Sequence, residues 1–220
     1  MITCNEIKND PYIIEMYNKI DKLSNTELWA THGWSHVLNV MHTVETIMKS
    51  LNYNEDMIEC GKIAALLHDI GCIYGKENHA VNSYNIVSKY LKDKDIIDEY
   101  KDIILDAILD HSEGKNSNNI INPALLFADK IDYDKTRLTP LGYNIENFNE
   151  IQYVDKIDVE LNDAKLIVTF VVTDKFNKDS LEKYYFTPKI FKAIHNFSKY
   201  LNLKPLVKIN NKEWKLKLMY

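Results

Sequence analysis

The sequence predicts a mainly α protein, in which a bundle of about six helices is followed by a small C-terminal α+β appendage. Three observations lead to this prediction. Apolar residues recur at helical spacing before residue 140, and helix-start signals precede these segments. After Pro140-Leu141-Gly142 the spacing changes to that of strands. We therefore expect two domains, residues 1–140 and residues 141–220.

The first three helices are marked by residues that open or cap helices. Asp10-Pro11 opens the first helix, and Ser35 is placed to cap the second. Asn54 stands where it can cap the third. Gly71 follows the last apolar residues of that helix and is expected to end it.

Three further helices complete the expected bundle. Asn78 can cap a fourth helix over about residues 79–92, and a fifth covers about residues 94–112. Asn122-Pro123 opens the sixth, because proline is favoured in the first turn of a helix.

The appendage is expected to combine strands with one helix. Residues 152–161 and 164–173 are rich in β-branched side chains and flank Asn162-Asp163, a pattern typical of a hairpin. Thr187-Pro188 starts an amphipathic helix that ends near Leu201. Residues 205–218 are interpreted as a second short strand pair.

Composition limits the class of protein. The chain has 220 residues, a net charge of −5, and no apolar run near the roughly 20 residues that a membrane span needs. We therefore expect a cytoplasmic protein without a membrane contact or a nucleic-acid groove. Cys4, Cys60 and Cys72 have unrelated spacings and are interpreted as buried reduced thiols, not as a disulfide framework or a thiolate zinc site.

The segment IAALLHDIG, residues 63–71, carries two ionisable groups in an otherwise apolar stretch. A buried charge is tolerated only when it is paired, hydrogen-bonded or bound to a metal. His68 and Asp69 therefore need partners elsewhere in the chain.

Candidate partners lie on the apolar faces of the other predicted helices. They are His36 in the second helix, His79 in the fourth, His111 in the fifth and Asp129 in the sixth. One histidine on an apolar face is usually a hydrogen-bonded core residue. Four histidines and two carboxylates together would leave several buried groups unpaired unless a cation holds them. Imidazole and carboxylate are the ligands of iron, manganese, cobalt, nickel or zinc.

The remaining histidines do not follow these faces. His42 and His195 are interpreted as structural or surface residues. His32 precedes its helix, and the run THGWSH leads from it directly into His36, so His32 is a candidate for lining a cleft.

In order and spacing, the six candidate ligands resemble the motif of the HD-domain superfamily of metal-dependent phosphohydrolases, over about residues 34–137. The two extra histidines resemble the dinuclear branch, which includes diadenosine tetraphosphate hydrolases and HD-GYP phosphodiesterases. Cys72 stands where a lysine is frequent in that family, and the GYP signature is absent. The resemblance implies an HD-type helical bundle.

The resemblance also implies roles for the ligands. His36, His68, Asp69 and Asp129 would hold one divalent ion, and Asp69, His79 and His111 would hold the second. Asp69 would bridge the ions, and with His68 it would support a metal-bridging hydroxide that attacks a phosphoester or phosphoanhydride.

Three cations are candidates for binding the substrate phosphate. Arg137 is the only arginine and follows Asp129 closely, where a guanidinium could hold a phosphate through two hydrogen bonds. The alternative is a surface ion pair with Asp132 or Asp134. Lys115 and Lys130 are weaker candidates, since solvated lysine is the default in so lysine-rich a chain.

Three functions stay open at this point. The leading hypothesis is a phosphohydrolase for a nucleotide or another small phosphorylated compound. The second is a diiron oxygenase, because some HD-domain proteins use the same ligands to activate oxygen. The third is a binding module without turnover. The appendage is expected to act as a lid, a contact between two copies of the chain or a regulatory surface.

Overall fold

The structure is a computed structural model and describes residues 1–112 and 119–215. It is mainly α with a small C-terminal sheet, which confirms the predicted fold class. None of the helices in these two ranges has the length and apolar character required to cross a membrane.

Nine α-helices are formed by the described residues. They are α1 (Cys4–Lys8), α2 (Pro11–Glu27), α3 (Trp34–Ser50), α4 (Glu55–Leu67), α5 (His79–Tyr90), α6 (Asp98–Asp110), α7 (Ile121–Ile131), α8 (Lys178–Lys183) and α9 (Thr187–Tyr200). All of these except the short helices α1 and α8 are predicted from the sequence.

Two of the first three helices start as predicted. The side chain of Asp10 accepts a hydrogen bond from the Tyr12 amide, and Asn54 caps α4 in the same way. The prediction for Ser35 is wrong, because α3 begins one residue earlier, at Trp34. Asp21 of α2 accepts from the Trp34 amide at 3.4 Å, so a neighbouring helix supplies the cap.

The later helix starts differ in detail from the predictions. Asn78 precedes α5 with a left-handed backbone (φ 55°) and makes no side-chain cap. Helix α6 begins at Asp98, four residues after its expected start. Helix α7 begins at Ile121, whose amide donates to the side chain of Asn119 at 2.9 Å.

The prediction that Gly71 ends α4 is wrong. That helix ends at Leu67, and Gly71 lies in the 3-10 turn Ile70–Tyr74. A Cβ atom on Gly71 would lie 2.3 Å from the carbonyl oxygen of His79 and 2.4 Å from the amide of Ser83. Glycine is needed here because the start of α5 packs directly against the turn.

Within the described residues the predicted strands are confirmed, and they form one sheet in the order β1-β2-β3-β4. Residues 216–218 of the last predicted strand pair lie outside the described residues. The strands are β1 (Val154–Leu161), β2 (Lys165–Val172), β3 (Lys204–Ile209) and β4 (Lys212–Glu213). Strands β1 and β2 form the expected antiparallel hairpin. Strand β3 pairs with β2 in parallel, and α9 lies in the connection between them.

The helices and the sheet share one apolar core. Phe127 of α7 stacks on Phe197 of α9, with ring centroids 4.6 Å apart. Helix α3 also packs against β1. The helix that carries Asp129 is thus held on another face by the appendage. The division at residue 140 stays a prediction.

Candidate metal centre

The six predicted ligands converge on one point. His36 lies in the first turn of α3, His68 and Asp69 follow α4, His79 begins α5, His111 follows α6 and Asp129 lies in α7. His68 and His111 are expected within their helices, but each lies just after the last helical residue. Each ring donates a hydrogen bond to a carbonyl of the last helical turn, three residues earlier. The end of each helix therefore orients its histidine.

The two carboxylate oxygens of Asp69 face different histidines. Oδ2 lies 3.3 Å from Nε2 of His36 and 3.5 Å from Nε2 of His68. Oδ1 lies 3.5 Å from Nε2 of His79 and 3.7 Å from Nε2 of His111. Asp69 therefore stands between two groups of potential metal ligands.

Each of these groups is compact enough to hold an ion. His36, His68 and Asp69 place their ligand atoms within 4.8 Å of one another, as do Asp69, His79 and His111. Asp129 joins the first group, with Oδ1 at 3.2 Å from Nε2 of His36 and 3.9 Å from Nε2 of His68.

All four imidazoles are oriented from outside the centre. Each donates its Nδ1 hydrogen to an oxygen and so leaves Nε2 facing Asp69. The acceptors are Asp132 for His36 (2.6 Å), the Ala65 carbonyl for His68 (2.7 Å), the Lys76 carbonyl for His79 (2.9 Å) and the Ile108 carbonyl for His111 (2.6 Å). Outer hydrogen bonds of this kind are typical of histidines that bind metals.

Several buried atoms of the centre lack hydrogen-bond partners among the described residues. They are Nε2 of His36, Nε2 of His68 and Oδ1 of Asp69. An unsatisfied buried polar atom costs about 1–3 kcal/mol. Because these atoms all face one another, divalent cations would satisfy them together, and the residues present fit a metal centre.

Burial controls the charge of His68. It lowers the pKa of this imidazole to about 3, so the ring is neutral and its Nε2 lone pair is available to a cation. Burial opposes ionisation of Asp69, but the neighbouring rings of His68 and His32 hold the pKa of that carboxyl well below its usual range. A neutral imidazole and an ionised carboxylate are the forms that bind metals.

His36 behaves differently because it faces several carboxylates. Burial lowers its pKa, but the carboxylates of Asp129, Asp132 and Asp69 outweigh this and raise it to about 10. Without a cation, a proton on His36 therefore offsets part of the negative charge. Binding of a metal at this position would release that proton.

Three side chains at the centre are absent from the predicted ligand set. His32, named only as a cleft residue, places Nδ1 at 2.6 Å from Oδ2 of Asp69. The Cys72 thiol belongs to a third compact group with His32 and Asp69, which the interpretation of the cysteines as buried thiols did not include. Asp132, three residues after Asp129, orients His36. The runs THGWSH and FADKID contain the signals for His32 and Asp132. For Cys72 the sequence offers only its position after Gly71, where a lysine is frequent in the family that the motif resembles.

A pocket of about 440 Å³ opens over Asp69, His79 and Asp129. Lys130 and Arg137 both line it. Nζ of Lys130 lies 2.7 Å from Oδ2 of Asp129. His79 and Asp129 are reachable from this pocket, so a small molecule in it would meet the centre directly.

Arg137 forms an ion pair with Asp132, one of the two partners that the alternative names, but the pair is buried and does not lie on the surface. Its side chain is 10% exposed, and its nearest contact with Asp132 joins Nη1 to Oδ2 at 3.9 Å. Asp132 is itself buried, and Nη1 has no hydrogen-bond partner in the described part of the chain. The guanidinium is therefore only partly paired, and Arg137 lines the pocket.

Other candidate residues lie apart from the centre or cannot be located. His42 and His195 are exposed, as predicted. Lys115 lies outside the described residues.

A model of the HD domain family matches residues 33–159, more than half of the chain. The chain belongs to the HD domain family. The HD match includes all six predicted ligands of the candidate centre, whereas Trp29, His32 and the segment 184–186 fall outside it.

Among solved structures, the HD domain chain is similar to a predicted HD superfamily hydrolase from an uncultured Thermotogales bacterium. The two are 20% identical with a TM-score of 0.43, and the likeness covers 65% of this chain and 88% of the other. No curated protein matches the chain.

Proposed function

We propose that the chain is a phosphohydrolase that uses two divalent ions to cleave a phosphoester or phosphoanhydride of a nucleotide or another small phosphorylated compound. The observation that carries this proposal is the position of Asp69. Each of its oxygens faces a separate pair of histidines, which is the arrangement that a bridging carboxylate requires.

Two divalent ions, when bound, would supply an activated water and positive charge for the phosphoryl oxygens. The protein would hold the ions and orient the side chains that bind them. Asp69 would fix the separation of the ions, and the outer hydrogen bonds of the histidines would keep the ligands in place. Arg137 and Lys130 would hold phosphate oxygens that face the pocket.

The proposal is tested by metal analysis of the purified protein, followed by a screen of nucleotides and other phosphate esters with manganese added. We expect bound divalent metal, and phosphate or nucleotide release that EDTA abolishes and manganese restores. The opposite finding would be oxygen consumption by the iron-loaded protein without phosphate release from any compound of the screen. That result would replace the hydrolase with an oxygenase.

Substitution of Arg137 by lysine is expected to lower kcat/KM about ten- to a hundred-fold, the effect of losing one charge-assisted contact of about 1.5–3 kcal/mol. Lysine keeps the charge but loses the planar pair of donors. Steady-state kinetics with the best substrate of the screen measure the effect.

The control for Arg137→Lys is the metal content, which should not change because Arg137 is not among the proposed ligands. Lys135→Ala provides a second control, since Lys135 is exposed and pairs with Asp155 outside the pocket. A fully metallated Arg137→Lys protein with unchanged kcat/KM would remove Arg137 from phosphate binding.

A further inference from the structure

Several aromatic rings line the pocket over the centre. We call Trp29, Tyr133, Tyr185 and Phe186 the aromatic wall. Trp29 precedes the HD match, and Tyr185 and Phe186 follow it. Most of this wall therefore comes from segments that the family match does not include.

The wall leaves large ring surfaces open to solvent. Trp29 is 46% exposed and Tyr185 is 63% exposed, although both line the same pocket as Asp69 and Arg137. Exposed aromatic surface beside a charged centre is typical of binding sites, because a ring binds an apolar or planar partner at a low cost in conformational entropy.

The wall is held in place by contacts behind it. The ring of Phe186 stacks on Tyr133, with centroids 5.9 Å apart and planes at 15°. The amide of Thr187 donates to the Tyr184 carbonyl at 3.0 Å, which fixes the turn that carries Tyr185. The Trp29 carbonyl accepts from the Thr139 amide at 3.2 Å. The wall is therefore formed before a ligand arrives.

Two polar groups in the pocket lack partners among the described residues. The hydroxyl of Tyr133 is buried without a hydrogen bond, and so is Nη1 of Arg137. Tyr133 is 5% exposed, so bulk water does not readily satisfy its hydroxyl. Both atoms lie behind the pocket surface, so the exposed rings of Trp29 and Tyr185 are the groups that a ligand meets first.

We infer that the aromatic wall binds a planar heterocyclic ring of the substrate, while the phosphate of the same molecule lies against Arg137 and the metal centre. Trp29 and Tyr185 stack on the ring. The substrate class is then a phosphorylated aromatic heterocycle, of which nucleotides are the common example. This inference rests on the proposed function, since it takes the phosphate to bind at the centre.

The test compares phosphorylated ligands that carry a heterocyclic ring with one that lacks it. Binding of adenosine, guanosine, cytidine and uridine 5′-monophosphates to the manganese-loaded full chain is measured by titration calorimetry, with ribose 5-phosphate as the ring-free probe. We expect the tightest nucleotide to bind about tenfold or more tighter than ribose 5-phosphate, which is the usual size of a base–aromatic stacking contribution.

Substitutions in the aromatic wall measure how much each ring contributes to nucleotide binding. Tyr185→Ala and Trp29→Ala should each weaken nucleotide binding about five- to tenfold and leave ribose 5-phosphate unchanged. Tyr185→Phe keeps the ring and should bind as the unchanged protein does. Tyr143→Ala removes a tyrosine that is 50% exposed outside the pocket, and it serves as the matched control.

Each other outcome overturns the inference. Equal affinity for nucleotides and ribose 5-phosphate would reject the ring site and leave the proposed hydrolase intact. Equal or tighter binding of hexyl phosphate, with the same loss in Tyr185→Ala, would indicate a general apolar surface instead of a ring site. If no phosphate compound binds or is hydrolysed by the metal-loaded chain, the proposed function fails together with the inference.

Discussion

Replacement of Asp69 by asparagine is expected to remove both metal ions and hydrolysis together. Asparagine has nearly the same shape, but its amide cannot offer two anionic oxygens, one to each histidine pair. We expect the metal content to fall to background and kcat/KM to fall about a thousandfold or more. Inductively coupled plasma mass spectrometry and steady-state kinetics on the same sample measure the two effects.

The matched control for this substitution is Asp163→Asn, which changes an exposed aspartate in the turn between β1 and β2. It should keep both its metal and its activity. Circular dichroism of Asp69→Asn establishes that the helices are intact. Full metal occupancy in a folded Asp69→Asn protein would show that the ligand assignment is wrong.

Replacement of His111 by alanine is expected to remove one ion and leave the other. His111 and His79 both face Oδ1 of Asp69, with Nε2 atoms 3.0 Å apart, whereas His36 and His68 face Oδ2. Metal content should fall from about two ions to one per chain, and kcat should fall about a hundredfold because a single ion cannot polarise both the water and the phosphoryl group.

His195→Ala provides the control, since this histidine is exposed on α9. His79→Ala should resemble His111→Ala in metal content. Anomalous scattering from crystals of the unchanged protein counts the ions directly. A single ion, with His79 and His111 uncoordinated, would reduce the centre to a mononuclear site of His36, His68, Asp69 and Asp129.

Much of the fold could be predicted because its signals are local. The Asp10 and Asn54 caps and the hairpin turn at Asn162 depend on residues close in sequence. The start of α3 could not be predicted in this way, because its cap comes from Asp21 of another helix. The sequence places Gly71 at a helix end. In the structure a glycine is required there because α5 packs directly against it, and this contact depends on how the helices pack.

In the candidate centre, too, some features could be predicted from the sequence and others depend on packing. That its six candidate ligands lie together could be predicted from the sequence, because residues such as His36 and Asp129 interrupt apolar helix faces. Cys72 could not be assigned, since its relation to the candidate ligands depends on how the elements pack. The burial of Arg137 was equally hidden, because a short segment rich in charge predicts an exposed position.

The stacking of Phe127 on Phe197 has a consequence for shortened versions of the chain. Helix α7 carries Asp129 on one face and this ring on another, and the second ring belongs to α9. A fragment ending at residue 140 would therefore open a large apolar patch on the helix that also carries a ligand. Such patches promote self-association. A soluble minimal HD domain from this chain would need polar replacements on that face of α7, or would have to retain α9.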